Sequence, residues 1–123
     1  MQSLRNRVVV ITGASSGIGR ATAEMALAAG WRVGLMARRA EALEEVAAGH
    51  KDALVLPGDV TAMDACTGVV ETLVGSWGRL DVLFNNAGIF TSQGLIDEID
   101  YGDWTRSLAV NLTGMFNMAR AGF

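Results

Sequence analysis

Short apolar runs alternate with longer amphipathic stretches along the whole chain. The apolar runs are continuous rather than alternating in polarity, which is typical of parallel strands covered on both faces. They predict strands at Arg7 to Thr12, Arg32 to Ala37, Ala53 to Leu56 and Asp81 to Asn85.

The stretches between these runs carry apolar residues at three- and four-residue spacing, which predicts helices with one buried face. These helices run from about Gly17 to Ala29, Ala40 to Ala48, Ala62 to Trp77 and Tyr101 towards Ala121. Strands alternating with helices specify an α/β fold with right-handed crossovers. No repeat, low-complexity tract or linker interrupts the alternation, so we expect one domain over residues 1–123.

Polar residues and glycine mark several helix ends. Thr61 is the expected N-cap of the third helix with Asp64 at the capping-box position, Asp100 is the expected N-cap of the last helix, and Gly30 fits a C-terminal cap. The third helix has the clearest apolar face, made of Cys66, Val69, Val70, Leu73, Val74 and Trp77. The last helix carries an apolar stripe of Trp104, Leu108, Leu112 and Met115.

Composition and charge narrow the function classes. Half of the residues are hydrophobic and 19% are charged, which is an ordinary globular composition. A net charge of -3 gives no general reason to bind nucleic acid or an anionic membrane. Cys66 is the one cysteine and no Cys/His cluster has ligand spacing, so we expect no disulfide and no metal site. The apolar stretch before Thr12 is too short for a signal peptide or a membrane span, and the expected location is cytoplasmic.

The stretch "TGASSGIG" places Gly13, Gly17 and Gly19 between the first strand and the first helix. Without side chains, the backbone there can approach a pyrophosphate closely, and free N–H groups at the helix N-terminus can meet its charge. The pattern therefore predicts a nucleotide site. A purely structural tight turn is the alternative.

The spacing of these glycines resembles the Thr-Gly-x-x-x-Gly-x-Gly signature of the classical short-chain dehydrogenase/reductase family. Three further stretches extend the resemblance: "GDV" at 58–60, "NNAG" at 85–88 and "VNLTG" at 110–114, each at the expected element. The resemblance covers the whole chain. It implies a Rossmann-type, doubly wound parallel sheet, truncated after about four strands in the order 3-2-1-4.

The resemblance also implies which residues bind the cofactor. Asp59 and Val60 match the family's adenine contacts, although Asp59 could instead be a cap or turn residue. The amide of Asn86 could stabilise a turn or contact the cofactor. The full set of implied cofactor-binding residues is Gly13, Ser15, Ser16, Gly17, Ile18, Gly19, Arg38, Arg39, Asp59, Val60, Asn85, Ala87, Gly88 and Ile89.

The end of the second strand indicates which dinucleotide is preferred. NAD-binding proteins carry an acidic residue there for the ribose 2′-hydroxyl, whereas an arginine accommodates the 2′-phosphate of NADP. Here Ala37 stands at the acidic position and Arg38 and Arg39 follow it, which favours NADP(H) over NAD(H). Alternatively, the two arginines are a solvated helix start, with Glu41 near enough to pair with either.

The family's hydride transfer between nicotinamide and a carbonyl or alcohol uses an Asn, a Ser and a Tyr-x-x-x-Lys pair. Asn111 in "VNLTG" matches the Asn, and its amide could also bond the backbone beside the neighbouring strand. No Tyr-x-x-x-Lys occurs, because Thr105 lies four residues after Tyr101 and Lys51 is far upstream.

We therefore expect a truncated cofactor-binding part of an NADP(H)-dependent oxidoreductase that is inactive alone. The alternative is a non-enzymatic nucleotide-binding or partner-interaction module. The family also implies a homo-oligomer contact through the last helix.

Overall fold

The computed structural model describes residues 6–91 and 93–123, which form a parallel four-stranded sheet with helices on both faces. The strands are β1 (Val8–Thr12), β2 (Arg32–Ala37), β3 (Ala53–Pro57) and β4 (Val82–Phe84), in the order β3-β2-β1-β4. The α/β fold and the strand order 3-2-1-4 are therefore confirmed. The register places Ile11 of β1 between Leu35 of β2 and Phe84 of β4.

Each predicted helix is present with boundaries close to those expected. The helices are α1 (Gly17–Ala28), α2 (Ala40–Ala47), α3 (Met63–Trp77), α4 (Tyr101–Leu108) and α5 (Gly114–Gly122). A π-helical turn at Ala109–Thr113 joins α4 to α5, and a short 3-10 helix at Ile96–Glu98 precedes α4. The single helix expected from Tyr101 is thus interrupted by a π turn, a feature often found near functional sites.

Strand β4 is shorter than the predicted run from Asp81 to Asn85, and it pairs with β1 alone. At its start, the Asp81 carboxylate accepts a hydrogen bond from the Val8 N–H at 2.8 Å, and the Asp81 N–H donates to Val8 O at 2.9 Å. Arg79 forms an ion pair with the same carboxylate, and these contacts lower the pKa of Asp81. The Asp81 side chain therefore extends the hydrogen bonding between β1 and β4 by one residue before β4 begins.

The core lies in two layers, one on each face of the sheet. Strand side chains on one face pack against α1 and α2, and those on the other face pack against α3 and α5. The first layer contains Val9, Ile11, Ala14, Ala23, Leu27, Val33, Leu35, Leu43, Val46 and Ala47. The second contains Val8, Val10, Met36, Leu56, Val60, Cys66, Val69, Leu73 and Met118. Covering on both faces explains why the strands read as unbroken apolar runs.

Two of the three expected caps are confirmed. The Asp100 side chain accepts from the Asp103 N–H at 3.1 Å, and Gly30 follows α1 with φ +87°. The cap expected at Thr61 is wrong, because the N-cap of α3 is Ala62, which makes no side-chain cap bond. The Thr61 hydroxyl donates to Asp59 instead, at 2.8 Å. A nearby carboxylate has taken the hydroxyl away from the helix end.

The apolar stripe of the last helix exists but is not buried. Trp104 is 53% exposed and Leu112 is 64% exposed, and Leu108 and Met115 are exposed as well. The buried side of α5 carries Gly114, Asn117 and Met118. The helix therefore turns a different face towards the sheet, and its largest apolar side chains face outward.

Candidate functional site

A cavity of about 820 Å³ opens where the carboxyl ends of the four strands meet. The segments that follow β1, β2, β3 and β4 form its walls, as expected for the crevice of a doubly wound sheet. The lining residues are Gly13, Ser15, Ser16, Gly17, Ile18, Met36, Ala37, Arg38, Arg39, Gly58, Asp59, Val60, Asn86, Ala87, Gly88, Ile89, Phe90 and Val110. All the residues implied for cofactor binding are among them except Gly19 and Asn85.

The three glycines of the first turn do different things. Gly13 and Gly17 have φ of +66° and +56°, which is the left-handed region that glycine enters without strain. A Cβ on Gly17 would meet nothing within 4 Å, so this position faces open space. A Cβ on Gly19 would lie 2.3 Å from the Gly13 carbonyl oxygen. Gly19 therefore allows α1 to pack tightly against the turn rather than lining the cavity.

The N-terminus of α1 lies at the cavity wall. Its N-cap residue, Ser16, is extended and makes no side-chain cap bond. The first N–H groups of a helix have no acceptor within the helix and carry its partial positive charge. Because Ser16, Gly17 and Ile18 all line the cavity, this end of α1 can bind an anion such as a diphosphate.

Thr12, at the end of β1, ties the glycine turn to the segment after β4. Its side chain is fully buried, and its Oγ1 accepts from the N–H groups of Asn86 and Ala87, both at 2.9 Å. The Asn86 amide donates to Thr12 O at 3.2 Å and to Gly13 O at 3.4 Å. Of the two roles considered for Asn86, the geometry shows the turn-stabilising one. Sequence reasoning missed Thr12, although a polar residue ending an apolar strand was the available signal.

Asn85 points away from the cavity. Its Nδ2 donates to the Met115 carbonyl at 2.8 Å, which fastens the end of β4 to α5. Because side chains alternate between the faces of an extended chain, Asn85 and Asn86 bond on opposite sides. The Asn85 side chain therefore links the segment after β4 to α5, and the cofactor contact implied for Asn85 stays a prediction.

Asp59 lines the cavity and also forms a turn. Its Oδ1 accepts from the Thr61 N–H at 2.9 Å and from the Thr61 hydroxyl at 2.8 Å. These two hydrogen bonds, helped by the positive charges of Arg38 and Arg106, lower the pKa of Asp59. The carboxylate is therefore ionised at neutral pH, and the turn role that the sequence left open is present.

Arg38 and Arg39 lie exposed at the cavity wall, where β2 ends and α2 begins. Among residues 6–91 and 93–123, neither forms an ion pair, with Glu41 or any other carboxylate. Two guanidinium groups that form no direct ion pair with a protein carboxylate are suited to a phosphate dianion.

Asn111 sits in the π turn and bonds the backbone after β4 twice. Its Oδ1 accepts from the Ile89 N–H at 2.7 Å, and its Nδ2 donates to the Ile89 carbonyl at 2.9 Å. Its neighbour Val110 lines the cavity, whereas Asn111 itself does not. Tyr101 is exposed on α4 and does not line the cavity, and Lys51 forms an ion pair with Asp52. The backbone-bonding role considered for Asn111 is thus present, and its match to the catalytic Asn of the family stays a prediction.

Residues 6–91 and 93–123 contain no group of three or more His, Cys, Asp or Glu side chains that could hold a metal ion. None of their helices is both long and apolar enough to cross a membrane.

The chain matches a known protein family over nearly its whole length. The sequence model described as short chain dehydrogenase matches residues 7–123. The chain belongs to the short-chain dehydrogenase family. The resemblance drawn from the glycine turn and the three later motifs is thereby confirmed.

Two relatives show how far the similarity extends. The chain is 37% identical over 117 residues to an uncharacterized oxidoreductase of Staphylococcus saprophyticus, covering 94% of this chain and 47% of that protein. It is 40% identical over 105 residues to a probable NADP-dependent dehydrogenase of Dichelobacter nodosus, covering 85% of this chain and 99% of that protein.

A solved structure shows the same fold. The crystal structure of 3-ketoacyl-(acyl-carrier-protein) reductase from Brucella melitensis, complexed with NADH, matches with a TM-score of 0.92 at 30% identity. The match covers 96% of this chain and 49% of that chain. The chain therefore spans about half the length of the Staphylococcus and Brucella proteins.

Proposed function

We propose that the cavity binds a nicotinamide dinucleotide, with NADP(H) preferred over NAD(H). The observation that carries this proposal is the junction of the glycine turn with the uncapped N-terminus of α1 at the cavity wall. The close packing at Gly19 and the open space at Gly17 fit a diphosphate lying against the backbone. In this arrangement Asp59 and Val60 lie at the adenine end of the cavity, and Ala87, Gly88 and Ile89 lie near the ribose of the nicotinamide half.

The preference for NADP(H) is argued from the charges at the end of β2. Ala37 supplies no carboxylate for a ribose 2′-hydroxyl, and neither Arg38 nor Arg39 forms an ion pair among the described residues, although the charge of Arg38 acts on Asp59 from a distance. A bound 2′-phosphate would provide a direct partner. The names of similar proteins support both dinucleotides, since one is called NADP-dependent and another is complexed with NADH.

We also propose that the activity is hydride transfer between the nicotinamide and a carbonyl or alcohol, with residues outside these 123 required for it. The dinucleotide supplies the hydride, and a proton donor must serve the substrate oxygen. The sequence has no Tyr-x-x-x-Lys pair for that step. A tyrosine without a nearby cation has a pKa near ~10 and is a poor proton shuttle at neutral pH. Asn111 holds the Ile89 backbone that borders the reacting end.

Replacing Arg38 by alanine tests the preference. The Arg38→Ala variant should bind NADPH roughly tenfold more weakly while its NADH affinity changes by less than about twofold, because only NADPH carries the 2′-phosphate. Isothermal titration calorimetry of the chain with each dinucleotide measures this. Arg120→Ala, which removes an exposed arginine that does not line the cavity, is the matched control and should bind as the wild type does.

Equal losses for NADPH and NADH in Arg38→Ala would remove the phosphate role of Arg38.

The purified wild-type chain, mixed with NADPH and a panel of carbonyl compounds, should show no NADPH oxidation above background. Oxidation that disappears in a Gly17→Val variant would contradict the proposal that further residues are needed.

A further inference from the structure

The peptide bond between Val60 and Thr61 lies where the cavity, α3 and α5 meet. Val60 is buried and lines the cavity directly after Asp59. Its carbonyl accepts a hydrogen bond from Asn117 Nδ2 at 2.9 Å and one from the Cys66 thiol at 3.5 Å. Both donors come from helices in the core layer beneath the cavity. The carbonyl is therefore turned away from the cavity and held inside the protein.

The N–H group of the same peptide bond contacts a residue that lines the cavity. This N–H belongs to Thr61 and donates to Asp59 Oδ1 at 2.9 Å. One rigid peptide plane thus connects the Asn117 amide on one side with the Asp59 carboxylate on the other. Hydrogen bonds in such a chain polarise one another, so the Asn117 bond also strengthens the donation to Asp59.

Asn117 is an unusual residue for its position. It is 7% exposed, and Thr12 is the other buried polar residue among residues 6–91 and 93–123. Burying an amide costs free energy unless it is hydrogen-bonded, and an apolar side chain at this position would avoid that cost. We therefore look for the role of Asn117 in its hydrogen bond to the Val60 carbonyl.

Gly114 lies three residues before Asn117 on the same face of α5 and contacts the same residue. A Cβ at Gly114 would come within 2.6 Å of Val60 Cγ2 and 3.1 Å of Val60 Cβ. Valine has a stiff, branched side chain and cannot easily move aside. Glycine in a helix interior lowers helix stability, so its presence here fits a need for close approach to Val60.

We propose that Asn117 is a positioning residue for the adenine end of the cavity, acting through the Val60–Thr61 peptide on Asp59, with Gly114 setting the distance between α5 and Val60. This inference rests on the proposed function, because it assigns the cavity wall at Asp59 and Val60 to the adenosine half of the dinucleotide. Asn117 itself does not line the cavity, and its effect is transmitted by the orientation of one peptide bond.

The experiment compares three variants of the 123-residue chain with the wild type. Asn117→Leu removes the donor while keeping the number and branching of the side-chain heavy atoms, and Gly114→Ala adds one methyl group against Val60 while leaving Asn117 in place. Val46→Ala removes buried apolar volume from the opposite core layer and is the control for a general loss of stability. The readouts are NADPH affinity by calorimetry and the pKa of Asp59 from the titration of its carboxyl carbon by NMR.

Asn117→Leu should weaken NADPH binding roughly three- to tenfold, the range expected for one hydrogen bond, and should raise the pKa of Asp59. Gly114→Ala should weaken NADPH binding too, and it remains informative if Asn117→Leu does not fold. Val46→Ala should change neither readout. Unchanged affinity and an unchanged Asp59 pKa in both α5 variants would overturn the inference.

The outcomes also separate this inference from the proposed function. If the wild type binds NADPH and Arg38→Ala weakens it selectively while the α5 variants behave as wild type, only the inference about Asn117 fails. If the wild type binds no dinucleotide, both fail.

Discussion

At the scale of single residues, the segments after the strands depend on a few positions. Some of these require glycine, and others require one specific polar side chain. Gly19 has no room for a side chain beside the Gly13 carbonyl, whereas Gly17 faces open space. Thr12 uses its one hydroxyl to hold two consecutive N–H groups after β4. The cavity wall therefore depends on close contacts between backbone segments, which a few small or polar residues make possible.

Asp59 provides a prediction about pH at this scale. Its pKa is lowered first by the Thr61 N–H, next by the Thr61 hydroxyl, and then by the charges of Arg38 and Arg106. A carboxyl group whose pKa is lower in the folded state stabilises the fold above its unfolded pKa of about 3.9. That stabilisation is lost as the pH falls through the folded pKa.

Urea denaturation of the wild type and of Asp59→Asn at a series of pH values measures this contribution. The wild type should be the more stable at neutral pH, and the difference should shrink as the pH falls below about 4. Asp81 also has a lowered pKa, but it titrates in both proteins and cancels in the difference. A difference that stays constant down to strongly acidic pH would show that the folded pKa of Asp59 is not lowered.

At the scale of elements, the helix from α4 to α5 departs most from its sequence pattern. Apolar spacing predicts one helix with one buried stripe, and nothing in that spacing marks the π turn. The turn instead accompanies the two hydrogen bonds between Asn111 and Ile89, which lie 22 residues apart in sequence. The stripe of Trp104, Leu108, Leu112 and Met115 faces outward.

We propose that this exposed stripe pairs with the same stripe of a second copy of the chain. Apolar side chains this large and this exposed, repeated along one helix face, favour association because pairing removes them from water. Sedimentation velocity over a range of concentrations should show self-association of the wild type and a monomer for Leu112→Glu. Met25→Glu, which changes a 73% exposed apolar residue of α1 in the same way, should associate like the wild type. Monomeric wild type, or equal behaviour of the two variants, would contradict the pairing.

At the scale of the whole molecule, the sequence predicts the architecture well because the architecture depends on local patterns. Continuous apolar runs and amphipathic stretches gave the elements, and the glycine turn with its companion motifs gave the family and strand order. The placement of most implied site residues around one cavity follows from that order, since the carboxyl ends of parallel strands meet at one edge.

The hydrogen-bond partners of individual side chains could not be predicted from the sequence, because most of these bonds join residues that are distant along the chain. Asn85 and Asn86 are neighbours with the same side chain, yet one bonds α5 and the other bonds the glycine turn. The bond from Asn117 to Val60 joins positions 57 residues apart. The Thr61 cap was wrong because Asp59, two residues earlier, competes for the same hydroxyl. Spacing predicts which face of an element a residue occupies, but not which partner it meets there.

The central claim is that the backbone N–H groups of the glycine turn, from Gly13 to Ile18, hold the diphosphate of a nicotinamide dinucleotide. The most direct measurement is a titration of the ¹⁵N-labelled chain with NADPH, followed by two-dimensional NMR, with adenosine as the matched ligand that lacks phosphates. NADPH should shift the amide resonances of residues 13–19 strongly, and adenosine should shift those near Asp59 and Val60 while leaving the glycine turn nearly unchanged. Amide resonances of the glycine turn that do not move while NADPH binds, or no NADPH binding by the folded chain, would contradict the account.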